Sequence, residues 1–147
     1  MASALRPLVI AGVLLTTLQQ AACTRSDPEK ELRATVSAMA QAIEQHRVGD
    51  ALGSVADDFT RESGDFGKAD ARRLLTAAML RNERIQLSVV VTDLRIEGKR
   101  AFVRLRVLAT GGAGLLPERG QTWDFDTVWR RESGGWSVYN AEWREGL

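Results

Sequence analysis

The sequence predicts an α+β domain in which three N-terminal helices pack on one face of a curved antiparallel sheet. Apolar residues recur at helical spacing in the first part of the chain, and alternating strand patterns follow from residue 85 onward. All four tryptophans lie in two terminal runs of aromatic and β-branched residues that flank Glu132-Ser133-Gly134-Gly135. Such runs around a glycine-bearing loop are typical of a β-hairpin. Helices followed by a series of antiparallel strands indicate the α+β class.

The composition excludes several classes of function. The chain has 147 residues, a length that suits one domain able to bury roughly two thirds of its unfolded surface. Its 20 lysines and arginines balance 19 aspartates and glutamates, so no basic surface for nucleic acid is predicted. One histidine and one cysteine form neither a metal-ligand cluster nor an internal disulfide. We therefore expect no cofactor, no metal and no nucleic-acid partner.

Residues 1–23 have the organisation of a bacterial signal peptide. Arg6 precedes an apolar segment, residues 8–18, which is shorter than the about 20 residues that a membrane-spanning helix needs. The small residues directly before Cys23 resemble a lipobox, in which the cysteine is lipidated and becomes the new N-terminus. Gln20 stands where lipoboxes usually carry leucine.

The cellular address follows from this segment. We expect a lipid on Cys23 to anchor residues 24–147, a single domain, to a membrane on the periplasmic side of the cell envelope. Thr24, in place of an aspartate after the cysteine, resembles the pattern that is sorted to the outer membrane. Ordinary secretion, with Cys23 removed or left as a free thiol, is the alternative.

Three segments have the spacing of amphipathic helices. The first begins with a capping pattern at 26–29, where proline takes the first helical position, and ends near Arg47. A short second helix is predicted over 50–59 and a third over 68–82. The residues expected to face the sheet are Leu32, Val36, Met39 and Ile43 in the first helix, Leu52, Val55 and Phe59 in the second, and Leu74, Leu75, Ala78 and Met79 in the third.

Two further strands precede the terminal hairpin. Alternation over 85–96 and 101–109 predicts a hairpin with one buried and one solvated face. A glycine-rich link, residues 110–119, leads from it to the last two strands. Leu115 and Leu116 on this link either fold back on the edge of the core or close over a pocket or a partner.

The terminal hairpin has two chemically different faces when its strands are paired across the glycine loop. That pairing places Trp129 opposite Val138. It also places Phe125 opposite Glu142. Strict alternation then lines a predicted pocket with Trp123, Phe125, Thr127, Trp129, Trp136, Val138, Asn140 and Glu142. The outer face, suited to solvent or to a homodimer contact, carries Asp124, Asp126, Arg130, Tyr139 and Trp143, with Arg104 and Arg106 on the neighbouring strand.

Four short motifs occur in a characteristic order with these elements. They are Gly49-Asp50, Ala56-Asp57-Asp58-Phe59, Gly67-Lys68 and the hairpin 130–138. Together, over about residues 28–145, they resemble the nuclear transport factor 2-like superfamily, the cone-shaped, cystatin-like group that includes polyketide cyclases and ketosteroid isomerases. The resemblance implies a pocket between sheet and helices, and many members are dimers. Their functions diverge widely, so the resemblance implies a fold rather than an activity.

The resemblance also allows a residue-by-residue test for isomerase chemistry. The tyrosine oxyanion donor and the catalytic aspartate of the ketosteroid isomerases fall on Ala42 and Ser63 here. Alanine cannot donate to an enolate oxygen, and serine is too weakly basic to remove a proton next to a carbonyl. Isomerase chemistry is therefore disfavoured, and His46, Asn140 and Glu142 are the catalytic candidates that remain.

These observations predict an envelope lipoprotein whose non-catalytic domain binds a small apolar ligand or a protein partner. The alternative is an acid–base enzyme, isomerase- or dehydratase-like, that uses the pocket carboxylate Glu142 with Asn140, and with His46 as a further candidate. A third hypothesis is a pure interaction module that uses the apolar side chains of Tyr139, Trp143, Leu115 and Leu116.

Overall fold

The computed structural model describes residues 26–62, 64–112 and 119–146. Within these ranges it contains three helices, which are α1 (Pro28–Glu44), α2 (Val48–Ala51) and α3 (Lys68–Arg81). The strands are β1 (Val55–Arg61), β2 (Phe66–Gly67), β3 (Arg84–Glu97), β4 (Arg100–Gly112), β5 (Arg119–Glu132) and β6 (Gly135–Glu145). The predicted α+β fold class is confirmed. No helix in these ranges is both long and apolar enough to cross a membrane.

The strands form one six-stranded sheet in the order β2-β1-β6-β5-β4-β3. All neighbouring strands are antiparallel except β1 and β6, which run parallel. The sheet is therefore mixed, whereas the sequence predicts an antiparallel one, because a segment with helical spacing contributes β1. This order leaves the 14-residue strand β3 at one edge and the two-residue strand β2 at the other.

The predicted second helix is wrong beyond Ala51, where α2 ends. The three side chains predicted to face inward from this segment, Leu52, Val55 and Phe59, are nevertheless buried. Leu52 caps the C-terminal end of α2, whereas Val55 and Phe59 belong to β1, which shifts its register against β6 between Val55 and Thr60. Such an irregularity interrupts the two-residue alternation that identifies a strand in sequence.

The start of α1 is fixed by its capping residue and by the terminal hairpin. The carboxylate of Asp27 accepts a hydrogen bond from the N–H of Glu29 at 3.0 Å, and Pro28 follows the cap as predicted. The indole N–H of Trp136 donates to the carbonyl oxygen of Pro28 at 3.1 Å. The first turn of α1 is thereby tied to β6, and Leu32 in the next turn is fully buried.

Helix α3 has almost the predicted bounds but only part of the predicted buried side. The N–H of Gly67 donates to the carboxylate of Asp70 at 2.9 Å, which satisfies a free donor at the helix start. Met79 is buried as predicted, whereas Leu74 is 56% exposed. Helix α3 packs on β1 and the very short β2, and this narrow end of the sheet leaves part of its apolar side uncovered.

The core lies between the helices and the inner face of the sheet, defined as the face that packs against α1. Its buried residues are Leu32, Val36, Leu52, Val55, Phe59, Ala101, Val103, Leu105, Trp129, Trp136, Val138 and Ala141. Trp129 is 2% exposed, and its indole N–H donates to Oγ1 of Thr127 at 2.8 Å. That hydroxyl donates to the carbonyl oxygen of Val103 at 2.8 Å. The buried indole therefore keeps a hydrogen-bond partner inside the core.

Replacing Thr127 by valine tests this hydrogen-bond chain. Valine preserves the shape of threonine but leaves the buried indole N–H of Trp129 without its acceptor, so we expect the free energy of unfolding to fall by about 1–3 kcal/mol. The Thr127→Ser control keeps the hydroxyl, loses one methyl group and should cost about 0.8 kcal/mol. Urea unfolding followed by tryptophan fluorescence measures both. A valine variant as stable as the serine variant would contradict the assignment.

Candidate functional site

An open groove of about 510 Å³ lies between α1 and the edge strand β3, and we call it the α1/β3 groove. Its strand side is formed by Leu87, Ser88, Val89 and Val91, and its helix side by Arg33, Val36, Ser37, Ala40, Gln41 and Glu44. Half of these lining residues are apolar, namely Val36 and Ala40 on α1 and Leu87, Val89 and Val91 on β3, and the other half are polar. A concave site with both apolar and polar side chains offers contact area and hydrogen-bonding groups to a ligand, although this groove is more polar than most ligand-binding sites.

The helix side of the groove is a second stripe on α1, next to the stripe that faces the core. Its polar members recur at spacings of four, four and three, which places them along one side of the helix: Arg33, Ser37, Gln41 and Glu44. The sequence prediction missed this site because it followed the apolar stripe alone. The periodic polar stripe was the available signal.

The backbone of β3 is also part of the groove. The carboxylate of Glu44 accepts a hydrogen bond from the N–H of Leu87 at 2.7 Å. That N–H therefore points away from β4, which pairs with β3 on its other side. Residues two apart on an antiparallel strand share their hydrogen-bonding direction. The N–H and C=O groups of Val89 and Val91 consequently point out of the same edge, toward the groove.

The catalytic candidate His46 lies just beyond α1 and is not part of the groove lining. The helix ends at Glu44 rather than near Arg47, because His46 has a left-handed backbone with φ of 58°. Its side chain is exposed. Since α1 packs on the inner face, His46 lies on the opposite side of the sheet from the outer face described next.

The predicted pairing of the terminal hairpin holds from the loop to Trp129 and Val138 and then changes. The next pair joins Val128 to Asn140, so Tyr139 is an extra residue on β6. An extra residue of this kind is a β-bulge. It moves every later side chain of β6 to the face opposite the predicted one.

The bulge overturns two of the predicted pocket-lining positions. Asn140 and Glu142 lie on the outer face rather than the inner face, and Glu142 is exposed. The amide nitrogen of Asn140 lies 3.2 Å from the carbonyl oxygen of Thr60, 3.1 Å from its hydroxyl and 3.3 Å from the carbonyl oxygen of Glu62. Asn140 thus closes the junction between β1 and β6. The two predicted acid–base candidates do not meet in an enclosed site.

The other predicted lining residues do lie on the inner face, but they are not in the groove. Trp129, Val138 and Thr127 are buried, and Trp123 and Phe125 are half-buried. Most of these side chains belong to the hydrophobic core or pack against it. Most of the predicted lining residues therefore take part in core packing and not in the α1/β3 groove.

The same bulge brings Trp143, predicted on the outer face, to the inner face. Its ring centroid is 5.2 Å from that of Phe66 and 5.9 Å from that of Phe125. The guanidinium carbon of Arg61 lies 4.2 Å from the Trp143 ring centroid, and its Nη2 donates to the Trp143 carbonyl oxygen at 3.2 Å. This cluster packs the end of the inner face between β2 and β5.

The outer face carries the charge pairs that the sequence predicts. Arg104 lies 2.9 Å from Asp126, and Arg106 lies 2.8 Å from Asp124. The hydrogen bond from Arg106 lowers the pKa of Asp124 below its ordinary value. The exposed apolar side chains on this face are Val90 and Leu108. The homodimer expected at this face stays a prediction.

The adjacent carboxylates on β1 are ion-pair partners and do not form an acid–base dyad. Asp57 lies 2.8 Å from Nζ of Lys68. Asp58 accepts two hydrogen bonds from Arg130, at 2.6 and 2.8 Å. Hydrogen bonds from these cations lower the pKa of both carboxyls. Both groups are therefore ionised at neutral pH, and neither holds a proton to donate.

Several sequence predictions lie outside the described residues. They concern Cys23, Ser63, Leu115 and Leu116. The division into residues 1–23 and 24–147 and the lipid anchor therefore stay predictions. Within residues 26–62, 64–112 and 119–146, no three histidine, cysteine, aspartate or glutamate side chains are grouped closely enough to hold a metal ion.

Comparison with known proteins identifies the fold. No family model matches the sequence, and no curated protein matches it. A Streptomyces avermitilis protein, named as a candidate dehydratase of the NTF2-like (nuclear transport factor 2-like) family, superposes with a TM-score of 0.68 at 15% identity over 82% of this chain and 97% of that one. A candidate scytalone dehydratase from Novosphingobium aromaticivorans gives 0.69 at 11% identity, over 81% and 84%.

A third structure supports the same assignment. An NTF2-like protein of unknown function from Pseudomonas putida gives a TM-score of 0.60 at 19% identity, over 81% of this chain and 87% of that one. The chain therefore has the NTF2-like fold, which confirms the resemblance predicted from its motifs. At these identities the likeness extends to the fold and not to an activity.

Neighbouring substitutions on β6 test the bulge. Replacing Trp143 by alanine removes a half-buried aromatic ring and should lower the free energy of unfolding by about 2–4 kcal/mol. Replacing Glu142 by alanine removes an exposed side chain and should change it by less than about 0.5 kcal/mol. Urea unfolding at neutral pH measures both. The predicted pairing without a bulge requires the reverse order, so a larger loss in the Glu142 variant would contradict the observed register.

Proposed function

We propose that this protein is a non-catalytic binding protein of the bacterial cell envelope, and that its α1/β3 groove takes up a small apolar ligand or a segment of a protein partner. The groove itself carries the proposal. Its volume of about 510 Å³ lies within the range of about 300–1,000 Å³ that is usual for ligand sites. Its five apolar side chains supply contact area, and the polar stripe of α1 supplies orientation.

The dispersal of the acid–base candidates supports binding over catalysis. General acid–base catalysis requires both groups within hydrogen-bonding reach of one substrate. Glu142 is exposed on the outer face, Asn140 is engaged at the β1–β6 junction, and His46 follows α1 on the other side of the sheet. Two proteins of similar fold are named as dehydratases. The alternative of a similar activity here has no converging pair among these three residues.

Filling the groove tests the proposal. Replacing Ala40 by tryptophan places a large side chain between α1 and β3, so the affinity for the neutral apolar probe 1-N-phenylnaphthylamine should fall by at least about tenfold. Ala38→Trp is the matched control, because Ala38 lies on the same helix, is exposed and does not line the groove. Fluorescence titration measures the affinity, and circular dichroism confirms folding. Equal binding by both variants would contradict binding in the groove, and no binding by the unaltered protein would contradict the small apolar ligand.

The envelope location is the part of the proposal that rests on the sequence alone. Asp27 caps α1 four positions after Cys23. A lipid on Cys23 would therefore hold the first turn of α1 close to the membrane surface, since each residue spans at most about 3.6 Å.

Metabolic labelling tests the anchor. The full chain expressed in a bacterium should incorporate radiolabelled palmitate and sediment with the membrane fraction, and Cys23→Ser should abolish both. Gln20→Leu restores the usual lipobox residue and should raise the processed fraction. Secretion of an unlabelled, soluble protein with either residue at position 23 would support ordinary secretion instead.

A further inference from the structure

The free edge of β3 gives the groove a ligand class. We infer that the α1/β3 groove binds an extended segment of a partner polypeptide, which adds to β3 as a seventh strand and places a basic side chain beside Glu44. This inference rests on the proposed binding function and narrows its ligand. Strand addition is a general mode of peptide recognition in which main-chain hydrogen bonds supply affinity and flanking side chains supply specificity.

Free main-chain groups along the edge of β3 support the addition of a strand. Glu44 already binds the Leu87 N–H, and this contact shows that the edge amides of β3 reach the groove. Val89 and Val91 present their N–H and C=O groups from the same edge. A bound strand pairs with these groups as β4 does on the other side. From Leu87 to Val91 the edge is about 13 Å long, so it suits a segment of about five residues.

The α1 side chains at the floor of the groove also leave room for an added strand. Ser37 and Gln41 of α1 lie below the edge beside Ala40. These side chains are small or neutral. A strand added to β3 would therefore rest one face on α1 and turn the other to solvent. Its residues that face α1 must be small or β-branched, and the alternate residues are unrestricted.

The carboxylate of Glu44 favours a partner segment that carries a basic side chain. The nearest cationic residues before and after Glu44 in sequence pair with other carboxylates: Arg33 with Glu29 and Arg47 with Asp50, both at 2.9 Å. The ion pairs of residues 26–62, 64–112 and 119–146 do not include Glu44, so a lysine or arginine of a bound segment can pair with it. A second copy of β3 could supply a cation only from Arg84 or Arg95, since residues 85–92 contain neither lysine nor arginine.

Hydrogen exchange of the full-length, isotope-labelled protein in detergent micelles tests the inference. The probe is the blocked peptide KVTVTVK, whose terminal lysines allow either strand direction to place a cation beside Glu44. At saturating peptide, exchange of the Val89 and Val91 amides should slow by at least about tenfold. The Val90 amide faces β4 and serves as the internal reference, because its exchange should not change. No peptide binding, or binding that leaves Val89 and Val91 unprotected, would overturn the inference.

Substitution of Val89 separates main-chain pairing from side-chain contact. Val89→Pro removes the N–H that points away from β4, a position where an edge strand tolerates proline, and should weaken peptide binding at least about tenfold. Val89→Ala keeps that N–H and should change the affinity by less than about threefold. Equal losses in both folded variants would overturn strand pairing.

Substitution of Glu44 tests the charge contact without a change to the backbone of β3. Glu44→Gln keeps an acceptor for the Leu87 N–H while it removes the charge. We expect it to weaken KVTVTVK about threefold and to leave the control peptide EVTVTVE unchanged or tighter. Equal effects on the two peptides would overturn the charge assignment.

Two other occupants have distinct outcomes. Protection of Val89 and Val91 that rises with protein concentration, without peptide, would assign the edge to a second copy and overturn the partner segment. Binding of 1-N-phenylnaphthylamine in the groove without peptide binding would overturn strand addition and leave the proposed small-ligand function standing.

Discussion

The inner face of the sheet has to stay apolar along β6, because this strand contributes to the core while it pairs with β5 on one side and β1 on the other. The apolar positions of β6 are Trp136, Val138, Ala141 and Trp143. Their two-residue alternation is interrupted once, and the bulge at Tyr139 absorbs that interruption. The bulge also places Asn140 beside Thr60. The parallel junction between β6 and β1 therefore depends on the bulge at Tyr139 as well.

This single irregularity decides which chemistry the hairpin offers. With Trp143 returned to the core and Glu142 moved to solvent, the inner face carries aromatic packing instead of a buried carboxylate. A carboxylate left unpaired in that position would carry a large desolvation cost. The aromatic side chains of this face pack in the hydrophobic core or against it, and this packing stabilises the domain. The α1/β3 groove lies instead at the side of the sheet, where α1 meets the edge of β3.

Local patterns predicted much of the fold, and long-range pairing accounts for most errors. The start of α1, helix α3 and both hairpins follow from capping residues, periodicity and glycine loops. Strand β1 was not predictable in this way, since its spacing is helical and its parallel partner lies about 80 residues further along the chain. The bulge had a readable signal in the three-residue step from Val138 to Ala141. The polar stripe of α1 was a readable signal for the groove, but the role of that stripe depends on where β3 lies.

The edge of β3 is interrupted at two points. Long, uncovered edge strands promote sheet-to-sheet association, and proteins block them with charges, bulges or covering elements. Here Glu44 occupies the Leu87 amide at one end, and a second bulge at Thr92 breaks the regular pairing direction at the other. Helix α1 covers the inner side between them. The stretch around Val89 and Val91 lies between these two interruptions, and its length is that of one short segment.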